Sequence, residues 1–210
     1  MHSHIVPGVD DGSPDVESSV ELLGHMADWG LQRVFTSPHS TEDTYENTPQ
    51  SLVGPFAELS KAAESTPVAL DYHLEYRIDD FFLTQLEADN IRTLPGRFLL
   101  IENGFSHEPW GLESIVSELL NKGFNPVLAH PERYSYYSRR HRNRYTELHN
   151  MGLYFQVNLL SLAGHYGKLQ RQAALYLLEN RMVQFVGTDL HRPAQLKTIE
   201  NYLSSKAFLN

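Results

Sequence analysis

The sequence contains no cysteine, and this absence removes several classes of protein at once. A disulfide framework is impossible, and the composition fits a reducing compartment, so we expect a cytoplasmic location. A cysteine nucleophile is excluded as well, including that of the thiol-based phosphatases. A phosphatase with this sequence would have to activate an oxygen nucleophile, most simply a metal-bound hydroxide.

Long apolar runs and an excess of basic charge are also missing. No apolar stretch approaches the roughly 18 residues that a transmembrane helix needs, and the N-terminus lacks the basic and apolar regions of a signal peptide. Seventeen Lys and Arg residues face 26 Asp and Glu residues, giving a formal net charge of −9. This balance argues against nucleic acid as the main partner. A bound cation could neutralise part of the acidic charge.

The 210 residues show no internal repeat and no linker, which predicts a single domain over residues 1–210. Short apolar runs alternate with amphipathic stretches, a pattern typical of β/α units around a mainly parallel sheet. We expect a closed or distorted (β/α)7 barrel, with an open doubly wound sheet as the alternative; the G-x-G-x-x-G and P-loop patterns are absent. The predicted strands are one that carries His2 and His4, then Arg33–Ser37, Val68–Tyr76, Phe98–Glu102, Pro126–Ala129, Leu153–Leu159 and Val183–Gly187.

Predicted helices fill the intervals between these strands. The first helix is expected to have Ser13 as its N-cap and Pro14 at its first position. The second is expected to start at Thr48-Pro49, and a basic, aromatic helix is expected over Ser138–Asn150.

Histidine and carboxylate side chains recur where the predicted strands end. Residues two apart on a strand point to the same face, so the pair of His2 and His4 would project side by side. In a β/α barrel the C-terminal strand ends meet on one face, where active sites form. The candidate metal ligands on this face are His2, His4, Asp11, His39, Glu75, Glu102, His130, Asp189 and His191.

Imidazoles and carboxylates in nearly equal number suit zinc, manganese or iron. Nine candidates exceed the needs of one ion, so we infer two or three metal ions, bridged by carboxylates such as Glu75. Each residue alone is more often structural; the set as a whole favours a metal site. The remaining histidines lack strand-end placement and are interpreted as structural or surface residues: His25, His73, His107, His141, His149 and His165.

Several other features allow two interpretations. Arg133 lies three residues after His130 and could hold phosphate oxygens bidentately, or form a surface ion pair. Arg192, next to His191, allows the same two interpretations, phosphate binding or a surface ion pair, with weaker support for the first. The basic run Arg139–Arg144 could line a groove for an acidic or phosphorylated peptide, but a solvated helix face is favoured. The loop Ser40–Asn47, with Tyr45, is either a rim of the site or an ordinary loop.

These residues lie in motifs by which the sequence resembles the PHP (polymerase and histidinol phosphatase) superfamily. Within it, the chain is most similar to the bacterial PHP-type tyrosine-protein phosphatases encoded with capsule and exopolysaccharide genes. The motifs are His2-Ser3-His4-Ile5-Val6-Pro7-Gly8-Val9-Asp10-Asp11-Gly12, Thr36-Ser37-Pro38-His39, Leu74-Glu75-Tyr76, Leu100-Ile101-Glu102, Ala129-His130-Pro131-Glu132-Arg133-Tyr134 and Gly187-Thr188-Asp189-Leu190-His191.

The resemblance implies a distorted (β/α)7 barrel and a multinuclear site that usually holds manganese, with iron or zinc as alternatives. The family's ligands fall on the nine residues given above, and its phosphate-contacting arginine falls on Arg133. The implied reaction is attack of a metal-bridging hydroxide on phosphotyrosine in a protein substrate, such as a bacterial tyrosine kinase of exopolysaccharide synthesis. His191 and Asp11 are the candidates for protonating the leaving oxygen.

One departure from the family pattern concerns the first strand. Only Met1 precedes His2, where the family usually has several apolar residues. We therefore expect a truncated chain or an alternative start, with His2 and His4 frayed and the metal site partly occupied.

Two alternatives to the tyrosine phosphatase remain open. One is a small-molecule phosphoesterase, such as a histidinol-phosphate phosphatase. The other is an inactive interaction module that a metal only stabilises. The sequence leaves the oligomeric state undetermined.

Overall fold

The computed structural model describes residues 1–138 and 142–209, which form parallel strands joined mostly by helices. The strands are β1 Arg33–Thr36, β2 His39–Ser40, β3 Ala69–Tyr72, β4 Glu75–Arg77, β5 Phe98–Glu102, β6 Asn125–Ala129, β7 Tyr154–Asn158 and β8 Val183–Gly187. The helices are α1 Val16–Asp28, α2 Val53–Ala62, α3 Asp80–Glu87, α4 Leu112–Asn121, α5 Ser135–Ser138, α6 Asn143–Asn150, α7 Leu159–Leu162, α8 Lys168–Glu179, α9 Leu196–Leu203 and α10 Lys206–Leu209.

All strand pairings between these elements are parallel, which confirms the predicted mixed α/β fold with a parallel sheet. Six strands form one sheet in the order β2-β4-β5-β6-β7-β8, and β1 pairs with β3 in a second sheet. The two sheets adjoin, because the backbone N–H of Glu75 donates to Pro38 O at 3.0 Å and that of His73 to Thr36 O at 3.0 Å. The predicted strand over 68–76 is therefore interrupted at residues 73 and 74. The predicted strand over 33–37 ends at Thr36 and is followed by the separate short strand β2.

The N-terminal segment lies between the end of β8 and the end of β1. It forms one parallel bridge, from Ser3 to Leu190, rather than a regular strand. On one side the N–H of His4 donates to Leu190 O at 2.9 Å, and on the other the N–H of Ser37 donates to Ser3 O at 2.7 Å. His2 and His4 are 1% and 0% exposed. The expected fraying is therefore wrong, because backbone bonds on both sides hold the segment.

The start of α1 differs from the sequence prediction. Asp15, not Ser13, is the N-cap, and its carboxylate accepts the N–H of Ser18 at 2.8 Å. Ser13 is buried and its hydroxyl accepts that of Ser19 at 2.9 Å. Both residue types can cap a helix, so only the direction of the incoming chain decides which one does.

Two further helix boundaries differ. Helix α2 begins at Val53 rather than at Thr48, because Thr48 and Ser51 bond to each other in a preceding turn. The predicted helix over 138–150 is represented by α5 and α6. Arg139, Arg140 and His141, predicted to lie on it, fall outside the described residues.

The central strands are buried along nearly their whole length, as in parallel sheets covered on both faces. Leu99, Ile101, Leu128 and Phe155 are 0% exposed and pack in the main apolar cluster. Each such side chain contributes about 1.5–3 kcal/mol by its burial, so the strand ends that carry polar groups are held rigidly. No helix in the described part of the chain is long and apolar enough to cross a membrane.

Candidate metal centre

The structure brings all nine predicted ligands together; most follow the C-terminal end of a strand, whereas His39 and Glu75 are the first residues of β2 and β4. They fall into four overlapping groups, and within each group one ligand atom per residue lies within 4.8 Å of the others. The groups are His4, Asp11, His39 and His191; His2, His4 and Asp189; His2, Glu75 and His130; and His39, Glu75 and Glu102. Residues from both ends of the chain thus form one cluster.

The carboxylate of Glu75 lies at the centre of this cluster. Its Oε2 atom is 3.3 Å from Nε2 of His2, 3.3 Å from Nε2 of His4 and 3.1 Å from Nδ1 of His39. Its Oε1 atom is 3.0 Å from Nε2 of His130. One carboxylate therefore faces four imidazoles from three separate parts of the chain, which is the arrangement expected of a bridging ligand.

Asp189 closes the cluster on the side of β8. Its Oδ1 atom is 3.3 Å from Nε2 of His2 and 3.5 Å from Nε2 of His4. Its Oδ2 atom accepts hydrogen bonds from Asn158 Nδ2 at 2.6 Å and from Arg133 Nη1 at 3.0 Å. One oxygen is thus directed toward the histidines while the other is fixed by neutral and cationic donors.

The outer part of the cluster opens to solvent. The Oδ1 atom of Asp11 is 3.5 Å from Nε2 of both His39 and His191, and the Asp11 side chain is 46% exposed. Glu102 lies deeper, with Oε1 3.4 Å from Nδ1 of His39 and Oε2 3.9 Å from Nε2 of His130. Asp11 therefore stands at the mouth of the site and Glu102 at its wall.

Burial and the neighbouring groups of opposite charge shift the pKa values of the clustered side chains in opposite directions. Burial alone would raise the pKa of Glu75, but contact with His2, His39 and His130 dominates and holds it well below its usual range. Burial and the charge of His4 would lower the pKa of His39, but Glu75 and Glu102 dominate and raise it to about 10. The carboxylate of Glu75 is thus ionised in a buried place, where it requires cationic partners.

The residues that orient the ligands were not predicted. Asp10 lies with Oδ2 2.7 Å from Nδ1 of His4, and Gln156 lies with Oε1 2.6 Å from Nδ1 of His2. Both histidines therefore turn Nε2 inward, where the two Nε2 atoms are 3.1 Å apart. Such partners are typical of metal-ligating histidines. A sequence signal did exist for Gln156 and Asn158, since their spacing puts both on one face of β7.

Two of the strand-end residues have unusual backbone conformations. His130 has φ +33° and Asp189 has φ +50°, a region that residues other than glycine rarely adopt. Such conformations cluster at functional sites, where the surrounding structure holds them in place. Here each turn directs a buried side chain into the cluster immediately after a strand.

The donor set fits divalent transition metals. Within the described residues, Nδ1 of His130 is buried without a hydrogen-bond partner. Nδ1 of His39 and Oε2 of Glu75 lie 3.1 Å apart but are buried without a hydrogen bond of acceptable geometry. A buried polar atom with no partner is costly, and a metal ion would satisfy such atoms in the cluster. Imidazole nitrogens and carboxylate oxygens, oriented from behind by Asp10 and Gln156, are the ligands that zinc, manganese and iron accept.

Arg133 lies beside this cluster, on the short 3-10 helix Pro131–Arg133. Its guanidinium contacts the rings of Phe105 at 4.8 Å and Tyr166 at 4.3 Å, in addition to the ion pair with Asp189. It lines a cleft of about 380 Å³ together with Asp11, His39, Glu102, His130, Asp189 and His191. Arg133 thus forms an ion pair, as one of the two interpretations expected, but its side chain is 24% exposed and the pair lies at the cleft rather than on the open surface.

The other sequence features have more ordinary surroundings. Arg192 lines the same cleft as Arg133 but is exposed, and it donates to Asp11 O at 3.4 Å. In the described part of the basic run, Arg144 is bound by the carboxylates of Glu108, Glu113 and Glu147. This ion-pair cluster leaves the groove interpretation without support from Arg144.

The histidines predicted to be structural lie outside the four ligand groups in the described part of the chain. His73 is buried and bonds to Met1 O at 2.9 Å, and His25 pairs with Glu200 at 3.0 Å. His149 bonds to Gln184 at 3.0 Å. His165 differs, because it lines the cleft beside Arg133.

Comparison with known proteins agrees with this architecture. Residues 1–207 match the family model described as capsular polysaccharide synthesis, CpsB/CapC. The tyrosine-protein phosphatase YwqE of Bacillus subtilis is 30% identical over 197 residues, covering 91% of this chain and 76% of the relative. The tyrosine-protein phosphatase CpsB of Streptococcus pneumoniae is 29% identical over 220 residues, covering 98% and 89%.

Solved structures give the same relationship. A chain from the crystal structures of YwqE from Bacillus subtilis and CpsB from Streptococcus pneumoniae, described as unique metal-dependent tyrosine phosphatases, superposes with a TM-score of 0.85 at 27% identity. The match covers 99% of this chain and 88% of that one. With a family match over almost its whole length, this chain belongs to the CpsB/CapC family of capsular polysaccharide synthesis proteins.

Proposed function

We propose that this chain is a metal-dependent protein-tyrosine phosphatase that hydrolyses phosphotyrosine in a protein substrate. The observation that carries the proposal is the convergence of nine imidazole and carboxylate side chains in one cluster beside a cleft, with a partly buried arginine next to them. This is the combination that phosphoryl transfer requires, because the reaction depends on positioning and on stabilisation of charge at phosphorus.

The nine side chains of the cluster would hold two or three divalent ions, with manganese preferred and iron or zinc as alternatives. Glu75 is the proposed bridging ligand, since both of its oxygens face imidazoles. When bound, the ions would supply Lewis-acid activation of water and neutralise charge on the phosphoryl group.

Arg133 is proposed to bind the phosphoryl oxygens. Its Nη1 atom is occupied by Asp189, and the aromatic rings of Phe105 and Tyr166 hold the guanidinium plane. A guanidinium fixed in this way loses little freedom when it binds an oxyanion bidentately. The charge on phosphorus would therefore be stabilised by a group that is already in position.

His191 and Asp11 are proposed as the proton donors to the leaving phenol oxygen. Nε2 of His191 lies 3.5 Å from Oδ1 of Asp11, at the solvent side of the cluster. The leaving group of a phosphorylated protein must depart on this side, because the opposite side is closed by buried strands. Both residues also belong to a ligand group, so one of them would have to combine two roles.

The fold that presents these residues is proposed to be a distorted (β/α)7 barrel. The N-terminal segment bonds to the end of β8 through Leu190 O and to the end of β1 through the N–H of Ser37. If β1 and β2 are counted as one interrupted strand, and β3 and β4 as another, the N-terminal segment would complete a ring of seven strands with these two and β5 to β8. An exopolysaccharide tyrosine kinase as the substrate is also part of this proposal.

The test compares substrates and metals on one preparation. Protein stripped with a chelator and reloaded with Mn²⁺, Fe²⁺ or Zn²⁺ should hydrolyse a phosphotyrosyl peptide, and faster than histidinol phosphate. His130→Ala should abolish turnover, whereas His25→Ala, far from the cluster, should preserve it. Faster turnover of histidinol phosphate would favour the small-molecule phosphoesterase. Failure of every metal to give turnover of any aryl phosphate, with His130→Ala changing only the melting temperature, would favour the inactive module.

A further inference from the structure

Phe105 is an exposed aromatic residue held rigidly at the rim of the metal cluster. Its side chain follows β5 and is 50% exposed. The ring lies nearly parallel to the imidazole of His130, with an interplanar angle of 15° and centroids 5.8 Å apart. Its loop is fixed, because Gly104 O accepts the hydroxyl of Tyr136 at 2.9 Å. A half-exposed apolar ring in a fixed loop offers a ready contact surface.

Tyr45 has the matching position on another side of the cluster. Its ring lies nearly parallel to the imidazole of His39, at 14° and 6.2 Å. A two-bond bridge fixes its loop, with the N–H of Thr41 donating to Tyr45 O at 2.9 Å and the reverse bond at 3.2 Å. Each of two candidate ligand imidazoles therefore carries an aromatic ring on its outer side.

A second, smaller cleft is lined by both of these rings. It measures about 180 Å³, and its walls include Tyr45, Phe105, Thr41 and Thr44. It shares Asp11, His39, Glu102 and Phe105 with the larger cleft that Arg133 lines. The four shared residues mark the junction of the two clefts. A ligand whose anionic group binds at this junction, beside the cluster, can place an attached group in the smaller cleft.

We propose that Phe105 and Tyr45 form a subsite for the aromatic ring of the substrate and so make the site selective for aryl over alkyl phosphates. This inference rests on the proposed function and adds its source of specificity. The phosphoryl group would lie at the junction, facing Arg133 in the larger cleft, and the phenol ring would lie between the two aromatic side chains. Aromatic pairs prefer offset-stacked or edge-to-face contacts, which rings on fixed loops provide without a loss of loop freedom.

Binding of two phosphonates to the Mn²⁺-loaded protein tests this subsite without requiring turnover. Phenylphosphonate and methylphosphonate share the anionic group and differ in the ring, so the ratio of their dissociation constants isolates the ring's contribution. We expect the wild type to prefer phenylphosphonate. Phe105→Ala and Tyr45→Ala should each reduce that preference by about 3- to 10-fold, the value of one aromatic contact. In Tyr45→Ala the dissociation constant of methylphosphonate should change less than about twofold. In Phe105→Ala it should rise as well, because this ring also holds the guanidinium of Arg133, and the ratio of the two dissociation constants removes that shared loss.

Two further variants serve as controls. Phe105→Leu retains an apolar side chain and should give an intermediate preference, which also guards against a misfolded alanine variant. Trp110→Ala removes an aromatic residue that is 95% exposed and outside both clefts, and it should leave the preference unchanged.

The outcomes separate this inference from the proposed function. The subsite is overturned if the wild type shows no preference for the ring, or if both alanine variants keep the wild-type ratio. Hydrolysis of a phosphotyrosyl peptide with an unchanged ratio would retain the phosphatase and remove the subsite. Ring-dependent binding that both variants weaken, without hydrolysis, would retain the subsite and remove the phosphatase.

Discussion

Asp10 holds His4 in place: Oδ2 of the carboxylate lies 2.7 Å from Nδ1 of the imidazole, and both side chains are buried. The same oxygen accepts the backbone N–H of His39 at 3.0 Å. A residue that belongs to none of the four ligand groups thus fixes two that do. Partners of this kind set the tautomer and ring orientation of a metal-binding histidine.

Replacing Asp10 should weaken metal binding without removing a ligand. In Asp10→Asn the side chain keeps its shape but loses the charge that orients His4, so we expect Mn²⁺ affinity to fall by about 10- to 100-fold. Metal content after dialysis against buffered Mn²⁺ measures the change. Asp71→Asn, which affects an exposed pair with Arg92, is the matched control. Equal metal content in the two variants would contradict the assigned role.

Arg133 and Arg192 should differ sharply as determinants of activity. Arg133→Ala removes a partly buried guanidinium from beside the cluster, and we expect kcat/KM to fall by about 10²- to 10³-fold, as for loss of a fixed oxyanion donor. Arg192 is exposed and makes a long hydrogen bond of 3.4 Å, so Arg192→Ala should cost much less. Steady-state kinetics on a phosphotyrosyl peptide provide the comparison. Similar losses in both variants would rule out a special role for Arg133.

Gly187 has no side chain, and this allows His2 to pack closely against the end of β8. A Cβ atom at this position would lie 2.7 Å from Nε2 of Gln156 and 2.8 Å from Cβ of His2. Gly187→Ala should therefore destabilise the protein by about 1–3 kcal/mol through overpacking and should weaken metal binding by displacing His2.

Gly24 in α1 is the control for this substitution. A Cβ atom there has no neighbour within 4 Å, and alanine favours a helix. Gly24→Ala should leave stability unchanged or raise it by up to about 1 kcal/mol. Urea unfolding of both variants, with and without Mn²⁺, gives the values. If Gly187→Ala were as stable as Gly24→Ala, the close approach of His2 to this strand would be wrong.

Tyr145 should make the protein sensitive to alkali independently of the metal site. The side chain is 0% exposed and its hydroxyl donates to Pro131 O at 3.3 Å. Burial raises its pKa above the usual value. A folded-state pKa above the unfolded one contributes stability below about pH 10 that is lost as the pH rises further.

The measurement is the free energy of unfolding of metal-free protein against pH. Above about pH 10 it should fall by as much as about 1.4 kcal/mol per pH unit for this one group. Tyr145→Phe should show a shallower decline in that range and a parallel curve between pH 7 and 9. Identical slopes above pH 10 would mean that Tyr145 ionises as freely in the folded protein as in the unfolded chain.

The residues that the sequence predicted correctly share one property: their positions are encoded locally. An apolar run such as Phe98–Glu102 marks a buried strand, and the first polar residue after it lies at the C-terminal edge of a parallel sheet. Such patterns placed all nine clustered side chains together before their geometry was known.

The residues that the sequence did not reveal depend on contacts between distant parts of the chain. Gln156 orients His2 across 154 positions, and Tyr166 packs on Arg133 from a segment without a recognisable motif. Asp10 adjoins a predicted ligand, yet only the path of the loop decides that Asp11 faces the mouth while Asp10 faces His4. A hydrogen bond or ring contact needs a defined direction, which local sequence does not specify.

The parallel α/β class, the candidate ligands and the exclusion of a cysteine nucleophile therefore follow from the amino-acid sequence. Hydrophobic periodicity and residue chemistry are sufficient for these, because they act within one segment at a time. The position of the N-terminal segment between β8 and β1, the four imidazoles around Glu75 and the two aromatic rings beside the cluster are visible only in the folded protein. These features arise when separate strand ends meet, and their distances are set by the packing of the whole domain.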